Sequence, residues 1–171
     1  KLIPEKKKIL NNINFIIRNS KFIGGNIVVN FEKKFSKFIG SKYCISTNNG
    51  TDALILCLKA LNVGPGDEVI TVVNTFYATV GAIEAVGATP VFCDCDERYQ
   101  IDINDIKKKI TKKTKAIMPV HWAGRPCNLE KIKLIARKNN LKIIYDSCHA
   151  IEARYKNKHL ISYGDVCTYS M

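Results

Sequence analysis

The sequence predicts an α/β protein of three layers, α/β/α, in which a mainly parallel sheet lies between two layers of helices. Segments typical of strands and of helices alternate along most of the chain, at the intervals expected of βαβ units. The candidate strands are short, apolar and rich in β-branched residues, which is typical of strands covered on both faces. Ligands of such sheets bind at the carboxyl ends of the strands.

The strand predictions rest on apolar segments bounded by turn residues. The turn Gly64-Pro65-Gly66-Asp67 ends one apolar helix and leads into a strand. The predicted strands are residues 43–47, 68–72, 90–93, 115–120, 141–145 and 166–169.

The helix predictions rest on amphipathic or wholly apolar segments with capping residues at their ends. Gly40 suits a helix C-terminus, and Asn128 is an N-cap candidate with Glu130 in the first turn. The predicted helices are residues 4–17, 30–38, 52–58, 75–86, 103–110 and 128–138.

Composition narrows the classes of function. A chain of 171 residues suits one domain, and none of its apolar runs reaches the roughly 18 residues that cross a bilayer, so we expect a cytoplasmic protein with no membrane partner. The net charge of +12 comes from dispersed lysines without interleaved aromatics, which favours solvated helix faces over a nucleic-acid site but could favour an anionic substrate. Seven cysteines without zinc spacing predict reduced thiols and no metal site.

The first candidate motif is the turn Asn49-Gly50-Thr51-Asp52, which enters a helix. Free backbone N–H groups and the helix dipole attract a phosphate at such a start, and Thr51 adds a hydroxyl. The motif is not a P-loop, because G-K-[ST] is missing. Taken alone, a plain N-cap formed by Thr51 is the favoured interpretation.

The second motif places Asp146 directly after the predicted strand 141–145, at the ligand end of the sheet. A carboxylate there could cap a helix, bind a metal or pair with a protonated ring nitrogen. His149 lies three residues further on and could face the same site. A helix cap with an incidental histidine is about equally favoured by the spacing.

The third motif is Asn74-Thr75-Phe76, at the end of the predicted strand 68–72. An aromatic side chain at a strand–helix junction could stack on a planar ligand, although such residues more often belong to the core. His121-Trp122, after the predicted strand 115–120, has the same two interpretations.

Taken together and in order, the motifs closely resemble the DegT/StrS family of nucleotide-sugar aminotransferases, which are fold type I pyridoxal-phosphate (PLP) enzymes. The resemblance extends from about Lys21 to Met171. The motifs are Phe22-Ile23-Gly24-Gly25, Phe31-Glu32, Asn49-Gly50-Thr51-Asp52-Ala53-Leu54, Gly64-Pro65-Gly66-Asp67-Glu68-Val69-Ile70, Asn74-Thr75-Phe76, Val86-Gly87-Ala88-Thr89-Pro90-Val91-Phe92, Thr114-Lys115-Ala116-Ile117-Met118-Pro119-Val120-His121, Asp146-Ser147, Gly164-Asp165 and Tyr169-Ser170.

The resemblance implies a binding role for each residue of these motifs that could carry chemistry. The cofactor phosphate would be held by Thr51, by the backbone at Gly50 and Asp52, and by Ser170. These contacts would form the phosphate end of the cofactor site.

The resemblance assigns the other end of the site to three side chains. Phe76 would stack on the pyridine ring, and Asp146 would pair with the pyridinium nitrogen, which keeps the ring protonated as an electron sink. His149 would lie near the ring's hydroxyl edge, at a position where other members often have Gln. Asp146 and His149 are therefore the candidate catalytic residues.

The resemblance also predicts what surrounds this chain. Residues 1–171 would be an incomplete PLP-binding large domain, aspartate-aminotransferase-like, with the Schiff-base lysine expected just after Met171 and a small C-terminal domain beyond it. Alone, the fragment is expected to be inactive. A homodimer is expected, since members complete their active site with a neighbouring subunit.

Three functions remain open at this point. The first is transfer of an amino group, from glutamate, to a keto group of a nucleotide-linked deoxysugar. The second is a dehydratase of the same family, which would carry histidine in place of the lysine. The third is a non-catalytic module that uses its net charge of +12 to bind an anionic partner.

Overall fold

A computed structural model describes residues 5–171, which fall into two units. The first unit comprises residues 5–38 and 42–46 and is built from two helices, α1 (Lys6–Arg18) and α2 (Gly25–Ile39). Helix α2 begins before the predicted residue 30, because Gly24 and Gly25 adopt positive φ angles of 59° and 74° and turn the chain directly into the helix.

The strand predicted for residues 43–47 is wrong, because these residues belong to no strand. Tyr43 and Ile45 are 72% and 79% exposed, so their side chains gain none of the burial that stabilises a sheet. The backbone N–H of Ser46 donates instead to Oε1 of Glu32, at 2.7 Å.

The second unit comprises residues 39–41 and 47–171 and contains a five-stranded parallel sheet. Its strands are β1 (Glu68–Val72), β2 (Thr89–Cys93), β3 (Thr114–Met118), β4 (Lys142–Asp146) and β7 (Val166–Thr168), while β5 (Arg154–Tyr155) and β6 (Lys158–His159) form a separate antiparallel hairpin. The sheet order is β2-β1-β3-β4-β7, and each neighbouring pair is parallel.

Helices cover both faces of this sheet. They are α3 (Gly50–Ala60), α4 (Tyr77–Ala85), α5 (Ile103–Lys109) and α6 (Leu129–Lys138), with short 3₁₀ turns at Trp122–Gly124 and Leu160–Tyr163. One buried cluster joins α3 and α4 to the sheet, and another joins α5 and α6 to its opposite face. The predicted three-layer α/β/α architecture is therefore confirmed.

The alternation of side chains along each strand explains why both faces are apolar. Ile144 belongs to the core under α3 and α4, whereas the neighbouring Tyr145 belongs to the core under α5 and α6. The carboxyl ends of the parallel strands meet at one edge, where an isolated bridge pairs Val120 with Asp146. Within residues 5–171, the helices are all too short or too polar to cross a membrane.

Candidate active site

Asp146 is the last residue of β4 and lies at the ligand edge of the sheet. Its side chain is only 6% exposed, and its two carboxylate oxygens have different partners. Oδ2 accepts a hydrogen bond from Oγ1 of Thr79 at 2.8 Å, and Oδ1 accepts one from the backbone N–H of Cys148 at 3.2 Å. A buried carboxylate held in this way can accept a further donor from a ligand.

Phe76 lies at the N-cap of α4, which begins at Tyr77 rather than at the predicted residue 75. Phe76 is 59% exposed, so it is not a core residue, and its ring is tilted by 53° from that of Tyr77, with ring centroids 4.3 Å apart. An exposed aromatic side chain at this edge can stack on a planar ligand.

The N-cap of α3 is Asn49, so the N-cap interpretation of Thr51 is wrong. Helix α3 begins at Gly50, and Oδ1 of Asn49 accepts the backbone N–H of Asp52 at 2.9 Å. The amide nitrogen of Asn49 in turn donates to Oδ2 of Asp52 at 3.2 Å. The cap engages the N–H of Asp52 and places Thr51 in the first helical turn.

Gly50 lies next to two other segments that end at the same edge. A Cβ atom at Gly50 would lie 3.2 Å from Sγ of Cys148 and 3.2 Å from Cβ of Ser170, with Oγ of Ser170 at 3.4 Å. The absence of a side chain at Gly50 therefore lets Cys148 and Ser170 pack closely against the start of α3, which brings the Ser170 hydroxyl to the first turn of this helix. A helix N-terminus with a nearby hydroxyl suits a phosphate group.

Cys148 joins the carboxylate end of the site to the Gly50 end. Its backbone N–H contacts Asp146, while its thiol lies beside Gly50. Burial, and next the charge of Asp146, raise the pKa of this thiol to about 12. At neutral pH Cys148 is therefore an uncharged residue that does not compete with an anionic ligand.

The two histidines near this edge differ in their surroundings. His149 is exposed, and its ring lies 5.2 Å from that of Trp122. His121 is fully buried, and its Nδ1 accepts the backbone N–H of Cys127 at 3.2 Å. Burial lowers the pKa of His121 to about 3, so its ring is neutral.

Sequence reasoning identified Asp146 and Gly50 but missed three residues that contact them or cap the helix beside them. Thr79 contacts Asp146 across 67 residues, which no local pattern reveals, whereas the N–H of Cys148 donates to Asp146 in a local turn over two residues. Asn49 was overlooked because Thr51 is also a good cap. Across residues 5–171, no group of three or more His, Cys, Asp or Glu side chains could bind a metal ion.

The sequence profile of the DegT/DnrJ/EryC1/StrS aminotransferase family matches residues 4–171. The chain belongs to this family. Members of the DegT/DnrJ/EryC1/StrS family are PLP-dependent, so the cofactor expected at this site is PLP or its amino form.

Two curated relatives of this DegT/DnrJ/EryC1/StrS chain are nucleotide-sugar enzymes. A dTDP-3-amino-3,6-dideoxy-α-D-galactopyranose transaminase from Aneurinibacillus thermoaerophilus is 45% identical over 166 residues, which are 96% of this chain and 46% of the relative. A GDP-perosamine synthase from Escherichia coli O157:H7 is 45% identical over 147 residues, which are 85% of this chain and 40% of the relative.

A solved structure agrees with the DegT/DnrJ/EryC1/StrS assignment. NtdA from Bacillus subtilis, determined with bound pyridoxamine phosphate (PMP), superposes with a TM-score of 0.90 at 36% identity, over 96% of this chain and 37% of NtdA. The chain thus spans less than half the length of each of these three proteins.

The residues at the edge of the sheet fit a phosphorylated aromatic ring of the kind that DegT/DnrJ/EryC1/StrS proteins use. The cradle at Gly50 and Ser170 suits the phosphate, the exposed ring of Phe76 suits the ring face, and the buried carboxylate of Asp146 suits a protonated ring nitrogen.

Proposed function

We propose that the protein containing this chain is a PLP-dependent aminotransferase that moves an amino group from glutamate to a keto group of a nucleotide-linked deoxysugar. The observation that carries the proposal is the arrangement at the carboxyl edge of the sheet. There the Gly50–Ser170 cradle is linked through Cys148 to the buried carboxylate of Asp146. A phosphate site joined to a carboxylate in this way matches the two polar ends of the cofactor.

At the phosphate end, the backbone N–H groups of Gly50 and Thr51 and the hydroxyls of Thr51 and Ser170 would bind the phosphate. The positive end of the α3 dipole favours the anion. The backbone N–H of Asp52 already donates to Oδ1 of Asn49, so the phosphate would have to share this donor with Asn49.

At the ring end, Asp146 would accept the N–H of the ring nitrogen and hold its proton in place. Phe76 would cover one face of the ring and exclude water from it, and His149 would lie at the hydroxyl edge. When bound, the cofactor supplies an electron-withdrawing ring that carries the amino group between donor and acceptor.

The nature of the substrate is supported by the relatives, whose names specify dTDP and GDP sugars. The formal charge of +12 is compatible with a diphosphate-containing substrate. A homodimer and a cytoplasmic location are part of the proposal, the latter supported by seven free cysteine thiols in the described residues. Residues 1–171 alone would not transaminate, because the expected lysine is not among them.

The test uses the intact protein, PLP, glutamate and a set of dTDP- and GDP-linked keto sugars. The expected result is a cofactor absorbance near the visible edge that glutamate changes, together with an aminated sugar detected by mass spectrometry. Asp146→Ala should bind the cofactor weakly and form no product, whereas Asp165→Ala, outside the site, serves as a matched control for loss of a carboxylate.

Two outcomes would contradict the proposal. One is an intact protein with no cofactor absorbance that behaves identically to its Asp146→Ala variant. The other is a sugar product that has lost water without gaining nitrogen, which would identify the dehydratase instead.

A further inference from the structure

Two threonine hydroxyls form a chain of hydrogen bonds that ends at the carboxylate of Asp146. Oγ1 of Thr79 lies 2.8 Å from Oδ2 of Asp146, and Oγ1 of Thr75 lies 2.7 Å from Oγ1 of Thr79. Thr79 is fully buried. Buried hydroxyls are normally hydrogen-bonded, and this one contacts the residue that the proposed function pairs with the ring nitrogen.

The donor and the acceptor of each hydrogen bond between Thr75, Thr79 and Asp146 can be assigned. An ionised carboxylate only accepts, so Thr79 donates to Asp146, and its oxygen is then available to accept the proton of Thr75. The other carboxylate oxygen accepts the N–H of Cys148. With both oxygens held, the carboxylate plane is fixed, while lone pairs remain for one further donor.

Thr79 also connects two parts of the candidate site. It lies in the first turn of α4, where its backbone N–H donates to the carbonyl of Phe76 at 3.1 Å. Its hydroxyl bond to Asp146 therefore joins the turn that carries Phe76 to the end of β4. The two segments follow β1 and β4, which are separated in the sheet by β3.

We propose that Thr79 is a positioning residue for the cofactor ring and acts through Asp146. Its hydroxyl fixes the carboxylate so that a remaining lone pair faces the protonated ring nitrogen, and Thr75 orients that hydroxyl. The inference rests on the proposed function, because it requires that Asp146 accepts from the ring.

The experiment measures binding of PMP to the intact protein by fluorescence titration, and the ¹⁵N chemical shift of PMP labelled at its ring nitrogen. Thr79→Val keeps the shape but loses the hydroxyl, and it should weaken PMP binding about tenfold or more, since a hydrogen bond to a charged group is lost. The ¹⁵N shift should move toward that of an unprotonated ring. Thr79→Ser, which keeps the hydroxyl, should restore both readouts.

Thr71→Val is the matched control. Thr71 is equally buried, and its hydroxyl donates to the carbonyl of Met118 at 2.8 Å rather than to Asp146. Thr71→Val should lose about as much free energy of unfolding as Thr79→Val but should bind PMP with wild-type affinity. Thr75→Val should change both readouts in the same direction as Thr79→Val, to a smaller extent.

Three results would overturn the inference. The first is wild-type PMP affinity and ¹⁵N shift in Thr79→Val, which leaves the proposed function intact. The second is an equal loss of affinity in Thr71→Val, which would attribute the effect to stability. The third is failure of the wild-type protein to bind PMP, which would overturn the proposed function as well.

Discussion

The imidazole of His121 stacks on the phenol ring of Tyr145, with ring centroids 4.9 Å apart and an angle of 29° between the planes. Both side chains are fully buried, directly beside the carboxylate-bearing end of β4. Among the described residues, Nε2 of His121 and the hydroxyl of Tyr145 have no hydrogen-bond partner. His121 and Tyr145 therefore pack through their rings, while each of the two side chains buries one polar atom that lacks a hydrogen bond within residues 5–171.

His121 should make the protein sensitive to acid. The unfolded chain protonates this histidine below its ordinary pKa of 6.5, whereas burial lowers the pKa in the folded state to about 3. The unfolded state therefore binds an extra proton between these values, and the free energy of unfolding falls as pH drops through this window, by at most about 1.4 kcal/mol per pH unit. Urea unfolding of the intact protein at pH 8, 6.5 and 5 measures this slope.

His121→Asn removes the titrating group but can still accept the N–H of Cys127. It should lower the free energy of unfolding at pH 7–8, and the drop in that free energy between pH 6.5 and 5 should be smaller than in the wild type by about 1–2 kcal/mol. Between pH 7 and 8 the free energy of unfolding should change equally with pH in the wild type and in His121→Asn. Identical slopes in the acid range would show that His121 titrates normally in the fold.

Tyr145→Phe should be neutral or should stabilise the protein by about 1–2 kcal/mol, because it removes a buried hydroxyl that has no partner in residues 5–171. Tyr145→Leu, which also removes the ring, should destabilise it. Both changes are measured as the free energy of unfolding in urea. A loss of more than about 1 kcal/mol in Tyr145→Phe would reveal a partner for the hydroxyl.

Gly50→Ala should weaken PMP binding while leaving the fold intact. Gly50 lies outside the left-handed region, so its backbone can accept alanine, but the added methyl would lie 3.2 Å from Sγ of Cys148 and from Cβ of Ser170 and would push these two segments away from the start of α3. We expect roughly a tenfold loss of PMP affinity in a fluorescence titration. Gly81→Ala is the control: a Cβ there contacts nothing within 4 Å, so only helix stability should rise.

Asn49→Ala and Asn128→Ala separate the effects of capping on stability and on the site. Both residues cap a helix through a side-chain oxygen, so each change should cost about 1 kcal/mol of unfolding free energy. Only Asn49 caps the helix at the cradle, so only its loss should weaken PMP binding, by roughly fivefold. Equal PMP affinities in the two variants would contradict a role for the α3 cap.

The sheet could be predicted from the sequence because its strands are buried on both faces, which concentrates β-branched residues in short segments such as residues 68–72. The same composition misled at residues 43–47, since a β-branched segment forms a strand only where burial stabilises it. The β5–β6 hairpin was missed because its turn, with positive φ at Lys156 and Asn157, carries no glycine.

The residues of the candidate site could be predicted from the sequence only where their role depends on neighbouring residues. Asp146 and Phe76 could be proposed from their positions at strand ends. The partner of Asp146, Thr79, is 67 residues away, and a hydrogen bond over that separation leaves no periodic signal in the sequence. The cap was misassigned to Thr51 because the choice between two good capping residues depends on where the helix starts.

The parallel order β2-β1-β3-β4-β7 also governs when the cradle can form during synthesis. Gly50 lies near the beginning of the second unit, whereas Ser170 follows β7, which pairs with β4. Contacts this distant in sequence form late, because the loop between them must close first. The nascent protein can therefore bind a phosphate at this cradle only after residue 170 has left the ribosome, so the cofactor cannot stabilise the earlier segments of the chain before that point.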